Sequence, residues 1–108
     1  YEIIHTTLSN DIKYANLNSI KKLKKIVKKI PVAFGLHSEF WEVLLLSLSF
    51  RPSSIFFYIK GNKYKIHGDE KHAIKTNNLN RVTSLIKLYP KILGKFDKKK
   101  PKKILNYK

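Results

Sequence analysis

The stretch SIFFYIKGNKYKIHG, from Ser54 to Gly68, predicts a β-hairpin that organises the rest of the chain. Gly61 and Asn62 form the expected two-residue turn, because glycine accepts the positive φ that a type II′ loop requires at its first central position. Successive side chains of a strand point to opposite faces, so this turn fixes which residues share a face. The expected core face carries Ile55, Phe57, Ile59, Tyr64 and Ile66.

The other face of this hairpin combines aromatic rings with positive charge. Like charges directly opposite one another destabilise a sheet, so lysines in this position call for an anionic partner. Aromatic rings stack on nucleobases and ammonium groups contact phosphates, which is how sheet surfaces hold single-stranded nucleic acid. The alternative interpretation is that a helix covers the rings while the lysines extend past its rim. The predicted nucleic-acid-binding residues on this face are Phe56, Tyr58, Lys60, Lys63, Lys65 and His67.

The charge of the chain also indicates a polyanionic partner. Its 108 residues contain 23 Lys+Arg and 7 Asp+Glu, which gives a formal net charge of +16. A compact domain with this charge repels itself, so we expect nucleic acid as its partner first and an anionic membrane surface second. Arg51 and Arg81 are the only arginines. Lysine suits phosphate better than the bidentate reading of guanine, so contacts along a nucleic-acid backbone are favoured over base readout.

The segment from Asn18 to Ile30 predicts an amphipathic helix that begins at an Asn18 cap and ends before Pro31. At 100° per residue its apolar residues fall in one stripe, and its lysines occupy the opposite side without an acidic residue to pair with them. The apolar stripe consists of Ile20, Leu23, Ile26, Val27 and Ile30. We expect the lysine side to lie along a phosphate backbone, with a solvated face or a membrane-bound face as alternatives. The predicted contacts are Lys21, Lys24, Lys25 and Lys28.

The remaining segments predict an α+β domain. Residues 1–8 are rich in β-formers and are expected to pair with the hairpin. A helix from Ser38 to Phe50 is apolar nearly all round and should be the buried centre of the core. Residues 31–36 are a connector or a short strand, and Leu79 to Tyr89 is a third helix followed by Pro90. The expected fold is therefore a small antiparallel sheet, formed by hairpin 54–68 and strand 1–8, packed on a buried helix with two flanking helices. Residues 1–96 form this single domain, and residues 97–108 are a basic, disordered tail.

Enzymatic chemistry has little support in the sequence. The absence of cysteine excludes disulfides and thiol nucleophiles. The sequence contains neither a phosphate-binding glycine loop nor a dinucleotide-binding or serine-hydrolase motif, and it has no zinc-binding spacing. We therefore expect no cofactor and no metal, and we assign no catalytic residue. A small metal-independent ribonuclease or toxin domain stays as an alternative, with His5 and His67 on one face as base and acid beside Lys65.

The function expected from the sequence is non-catalytic binding of nucleic acid, with RNA ahead of DNA, as in a ribonucleoprotein or ribosomal component. A winged-helix DNA-binding protein, in which two helices precede the hairpin, is the second alternative. The run from Phe40 to Phe50 is too short to span a bilayer, so we expect an intracellular protein.

Overall fold

The computed structural model describes residues 1–61 and 70–94. The first three strands alternate with helices, and in the described segments no α-helix lies between the third and fourth strands. Short 3₁₀ turns occupy several of the connections. The strands are β1 (Ile3–Thr6), β2 (Val32–Leu36), β3 (Ile55–Lys60) and β4 (Ala73–Lys75). The helices are α1 (Asn18–Ile26), α2 (Glu42–Ser47) and α3 (Leu79–Leu93). The 3₁₀ turns are Ile12–Tyr14, Leu48–Phe50, Glu70–His72 and Thr76–Asn78.

The four strands form one sheet in the order β1-β2-β3-β4, and every pair is parallel. The predicted antiparallel α+β fold is therefore wrong, and the protein has an α/β fold. β3 has β2 and β4 as its neighbours, with Phe34 opposite Ile55 and Tyr58 opposite Ala73. β1 pairs with β2 and not with a hairpin. The second strand of the predicted hairpin, residues 63–67, lies outside the described residues, and so does that half of the wing in the winged-helix alternative.

The helices lie together on one face of the sheet. A strand order that follows the chain order moves each crossover in the same direction, and right-handed crossovers then place their helices on the same side. The core contains Val32, Phe34 and Leu36 from β2, which alternate with residues of the other face. The helices contribute Ile20 from α1, Val43 and Leu44 from α2, and Val82 from α3.

The helix predicted from Ser38 to Phe50 is shorter and less buried than expected. Its helical part is α2, followed by the 3₁₀ turn Leu48–Phe50. Val43, Leu44 and Leu45 are buried, but Phe40 and Leu46 are exposed. A layer of helices on one side of a sheet leaves an outer surface, so an almost wholly apolar segment here places some of its side chains in solvent.

Two further boundaries differ from the sequence-based expectation. α1 ends at Ile26, and the following residue, Val27, leaves the helical conformation with φ −111° and ψ 58°. The side chain of Ile26 is consequently 65% exposed instead of belonging to the apolar stripe. α3 continues through Pro90 to Leu93. The predicted tail of residues 97–108 lies outside the described part of the chain.

Candidate nucleic-acid interface

The face of the sheet opposite the helices carries a groove, which we call the sheet groove. It encloses about 410 Å³. Ile4, Thr6 and Leu8 line one side of it, and Phe56 and Tyr58 line the other. Thr6 lies opposite Gly35 on β2, which in turn lies opposite Phe56 on β3, so three neighbouring strands build one row across the groove.

Gly35 forms the floor of the sheet groove. A Cβ atom built at this position would stand 3.2 Å from both Cβ and Oγ1 of Thr6, and 3.5 Å from Cγ2 of Ile4. Because glycine has no side chain, the larger side chains of the neighbouring strands rise on either side of it and leave a depression in the middle of the face. The groove exists because one small residue lies between two rows of larger ones.

The aromatic wall of the groove agrees with the predicted exposure of its two rings. Phe56 is 46% exposed and Tyr58 is 53% exposed, whereas Ile55 and Phe57, which alternate with them along the strand, pack against the core. Residues two apart on a strand are separated by roughly 6.6 Å, so the two rings stand in a row along the groove. Ile59, which the sequence placed on the core face, is exposed. Tyr64 and Ile66 of that predicted face lie outside the described residues.

Two histidines, His37 and His72, border this wall at Tyr58. The ring of His37 meets that of Tyr58 edge to face, with centroids 5.1 Å apart, and it meets the ring of His72 at 4.8 Å. His37 itself lines the groove. Its Nδ1 atom is buried and makes no hydrogen bond to any residue in segments 1–61 and 70–94. These contacts limit the rotation of the Tyr58 ring and add a polar group to an otherwise apolar wall.

The lysines predicted for this face are only partly visible in the structure. Lys60 donates a hydrogen bond to Oε2 of Glu39 at 3.0 Å, and its side chain is only 12% exposed. It would have to leave that carboxylate to contact a phosphate. Lys75 lies opposite Lys60 and is exposed, so it supplies positive charge that the sequence did not assign to this face. Lys63, Lys65 and His67 lie outside the described residues.

The helix lysines lie on the other layer of the molecule, because α1 packs on the opposite face of the sheet. Lys21, Lys25 and Lys28 are exposed, as predicted. Lys24 instead donates hydrogen bonds to the carbonyl oxygens of Phe50, at 2.8 Å, and of Arg51. Burial lowers the pKa of the Lys24 ammonium group below its ordinary value of 10.5, and the charge of Arg51 lowers it further. Lys24 thus fastens α1 to the turn Leu48–Phe50.

His5, proposed above as a nuclease residue, has a structural partner. Its Nε2 atom lies 2.9 Å from the carbonyl oxygen of Ala15, and its ring packs against Phe34 at a centroid distance of 6.1 Å. It therefore lies on the helix side of the sheet, away from the groove. The other histidine of the proposed pair, His67, lies outside the described residues.

The residues that sequence reasoning missed are those that form the floor and the aliphatic wall of the groove. Gly35 comes from a segment that was assigned to a connector or a short strand. Thr6 and Leu8 come from the segment that was expected to pair with the hairpin. The available signal was the apolar run VAFGL at Val32–Leu36, since continuous apolar strands are typical of parallel sheets. A glycine within such a strand indicates a close approach or an open space above it.

The described side chains include no group of three or more His, Asp or Glu that would hold a metal ion. None of the helices in the described segments has both the length and the apolar character needed to cross a bilayer. No protein-family model, curated protein or solved structure matches this chain.

Proposed function

We propose that this protein binds single-stranded nucleic acid without cleaving it, RNA in preference to DNA, and that the sheet groove is the binding site. The observation that carries this proposal is the pair Phe56 and Tyr58, which stand side by side and half-exposed on a sheet face that none of the described helices covers. Parallel sheets normally have both faces covered, so we expect a ligand on a face that segments 1–61 and 70–94 leave open.

The chemistry of the groove favours unpaired bases. Each nucleobase has a flat π-face that stacks on an aromatic ring, and such stacking tolerates any base. The rings are spaced along the strand so that each one can take a separate base of an extended strand. A base-paired duplex does not offer its bases in this way, and recognition of splayed, single-stranded bases is typical of RNA-binding modules.

The charge of the protein favours a polyanion over a second copy of itself as the occupant. A net charge of +16 makes self-association through this face electrostatically unfavourable. Exposed Lys75, opposite Lys60 on the neighbouring strand, adds positive charge beside the strand that carries the two rings. The groove supplies stacking, while the lysines elsewhere on the protein accelerate association through long-range attraction.

The test is a fluorescence-anisotropy titration with a short oligouridylate, whose bases stack weakly on one another and are free to bind. Phe56→Ala and Tyr58→Ala should each weaken binding by about 1–3 kcal/mol, which is roughly 5- to 150-fold in Kd. The slope of log Kd against log salt should not change, because neither substitution removes a charge.

Phe40→Ala is the matched control. Phe40 is an aromatic residue that is 52% exposed, and it lies outside the residues that line the groove. Its substitution should leave Kd within about twofold of the wild-type value. Equal Kd values for all three variants, at unchanged thermal stability, would show that the groove is not the binding site.

A further inference from the structure

The exposed lysines of α1 and of the turn after it form a second basic surface, which we call the lysine face. It consists of Lys21, Lys22, Lys25, Lys28 and Lys29. Neither of the two ion pairs in the described part of the chain involves any of them. Uncompensated lysines repel one another, so this arrangement costs stability unless a polyanion neutralises it.

Two clefts give the lysine face its shape. One of about 420 Å³ is lined by Lys21, Lys25 and Ser49, and one of about 340 Å³ by Lys28, Lys29 and Ser53. Lys24 and Arg51 border both clefts. Residues four apart on a helix are about 6 Å apart along its axis, a separation comparable to that of neighbouring phosphates on a strand. Lysine-rimmed clefts at this spacing suit a row of phosphates. Phe50 is the aromatic residue among their lining, and it packs partly against the core.

One carboxylate lies at the edge of this surface. Glu2 accepts hydrogen bonds from the hydroxyl groups of Ser53 and Ser54, at 2.7 and 2.8 Å. Ser53 lines the smaller cleft, so Glu2 lowers the local positive charge there. One acid beside five exposed lysines and Lys24 leaves the surface strongly positive.

The packing of α1 favours nucleic acid over a membrane on this face. A helix that binds a membrane surface inserts its apolar side between the lipids. In this protein Ile20 is fully buried in the core, and Leu23 and Val27 pack against it, so that side is already occupied. Ile26 and Ile30 are exposed, and two isolated side chains do not make an apolar face.

We infer that the lysine face is a second nucleic-acid site, which takes the phosphate backbone of a folded or paired strand, and that the protein thereby joins two nucleic-acid segments. The sheet groove holds an unpaired segment, and this half of the inference rests on the function proposed above. The two sites lie on opposite layers of the molecule, so each can take a separate nucleic-acid segment.

The experiment measures energy transfer between two RNAs that are not complementary to each other. One is the oligouridylate, labelled with a donor dye, and the other is a short blunt duplex, labelled with an acceptor. Wild-type protein should bring them together, with energy transfer greatest near equimolar protein. Excess protein should reduce the transfer, because the two RNAs then occupy different protein molecules.

Two double variants with the same net charge distinguish the effect of the lysine face from the effect of net charge on binding. Lys25→Glu/Lys28→Glu alters the face, and Lys13→Glu/Lys87→Glu changes two exposed lysines on other elements. The first variant should bind the duplex at least tenfold more weakly than the second and should lose energy transfer. Both should bind the oligouridylate equally. Phe56→Ala should show the opposite pattern, with duplex binding retained and oligouridylate binding reduced.

Several outcomes would overturn the inference. Equal duplex affinity in the two double variants would show that the lysine face is not a site. Displacement of the oligouridylate by the duplex would show one shared site. Binding to phosphatidylserine vesicles that depends on Lys25 and Lys28, without binding of the duplex, would assign the face to membranes. Duplex capture without any oligouridylate binding would refute the function proposed for the groove and leave the lysine face as a single site, which excludes joining.

Discussion

Replacing Gly35 by alanine tests whether the sheet groove itself, and not only the rings beside it, holds the ligand. The new methyl group would stand 3.2 Å from Cβ and Oγ1 of Thr6. Non-bonded carbon atoms attract each other best at about 3.5–4.0 Å, so this contact is too close. Thr6 is exposed on a strand at the edge of the sheet, so it can move by the few tenths of an ångström required. The backbone at Gly35 does not have a positive φ, so alanine fits its conformation.

The stability of this variant should stay close to that of the wild type. Mild overpacking costs about 1 kcal/mol, at the low end of the usual range. The loss of backbone freedom in the unfolded chain offsets about 0.4–1 kcal/mol of that cost. We therefore expect the free energy of unfolding to change by less than about 1 kcal/mol.

The effect on binding should be larger. A base that rests on the groove floor would be displaced outwards by about 0.5–1 Å, which forfeits a quarter to a half of its van der Waals contact. Two stacked bases contribute about 1–3 kcal/mol each, or about 4 kcal/mol together at the middle of that range. Losing a quarter to a half of this contribution costs about 1–2 kcal/mol, or roughly 5- to 30-fold in Kd.

The assay is the oligouridylate titration, with urea unfolding of the same samples. Gly61→Ala is the matched control, because a Cβ at Gly61 meets no described atom within 4 Å, and it should bind like the wild type. An unchanged Kd for a stable Gly35→Ala protein would refute the reasoning that the groove floor contacts the ligand. If Phe56→Ala nevertheless weakened binding, the ligand would contact the rings without reaching the groove floor at Gly35.

Two further predictions concern the fastening of the helix layer and of the N-terminal strand. Lys24→Met removes two hydrogen bonds from a charged group to the carbonyls of Phe50 and Arg51. It also removes the cost of burying that charge, so urea unfolding should show a net loss of only about 1–2 kcal/mol in the free energy of unfolding. The neighbouring substitution Lys25→Met should change that free energy by less than about 0.5 kcal/mol. Equal effects of the two substitutions would show that Lys24 does not fasten α1. The hydroxyl groups of Ser53 and Ser54 lower the pKa of Glu2 below its ordinary value of 4.5, so its stabilising contribution is present above pH 4.5 and is lost as the pH falls through the lowered pKa. Urea midpoints of the wild type and of Glu2→Gln should therefore differ at pH 7 and converge in acid, and a constant difference would contradict this account.

The local patterns of the sequence predicted faces better than they predicted the topology. Alternation along β3 placed Phe56 and Tyr58 opposite Ile55 and Phe57, and the structure has them so. The spacing in α1 likewise separated the lysines from Ile20 and Leu23. Both patterns depend only on the geometry of one element, which a short window of sequence contains.

The parallel sheet was missed because strand pairing between distant segments leaves little local trace. Gly61 and Asn62 are typical turn residues and suggested an antiparallel hairpin, whereas β3 pairs in parallel with both β2 and β4. Val32–Leu36, the strand that joins β1 to β3, was assigned to a connector or a short strand although its continuous apolar character is typical of a parallel strand. The sheet groove follows from that pairing, since Gly35 becomes a floor only when Thr6 and Phe56 lie on either side of it.

The role of Lys24 also depends on tertiary structure. In the sequence it is one of six equivalent lysines on a helix, and nothing local distinguishes it from Lys25. Among the α1 lysines of the described segments, Lys24 is the one whose ammonium group donates hydrogen bonds to the carbonyls of Phe50 and Arg51.

Photo-crosslinking tests most directly whether unpaired bases bind in the sheet groove. An oligouridylate that contains 4-thiouridine would be irradiated in complex with the wild-type protein, and the modified peptides would be identified by mass spectrometry. We predict crosslinks at Phe56 and Tyr58, with none at Phe40, which is about as exposed. Crosslinks confined to α1, or spread equally over all exposed aromatic residues, would contradict this account.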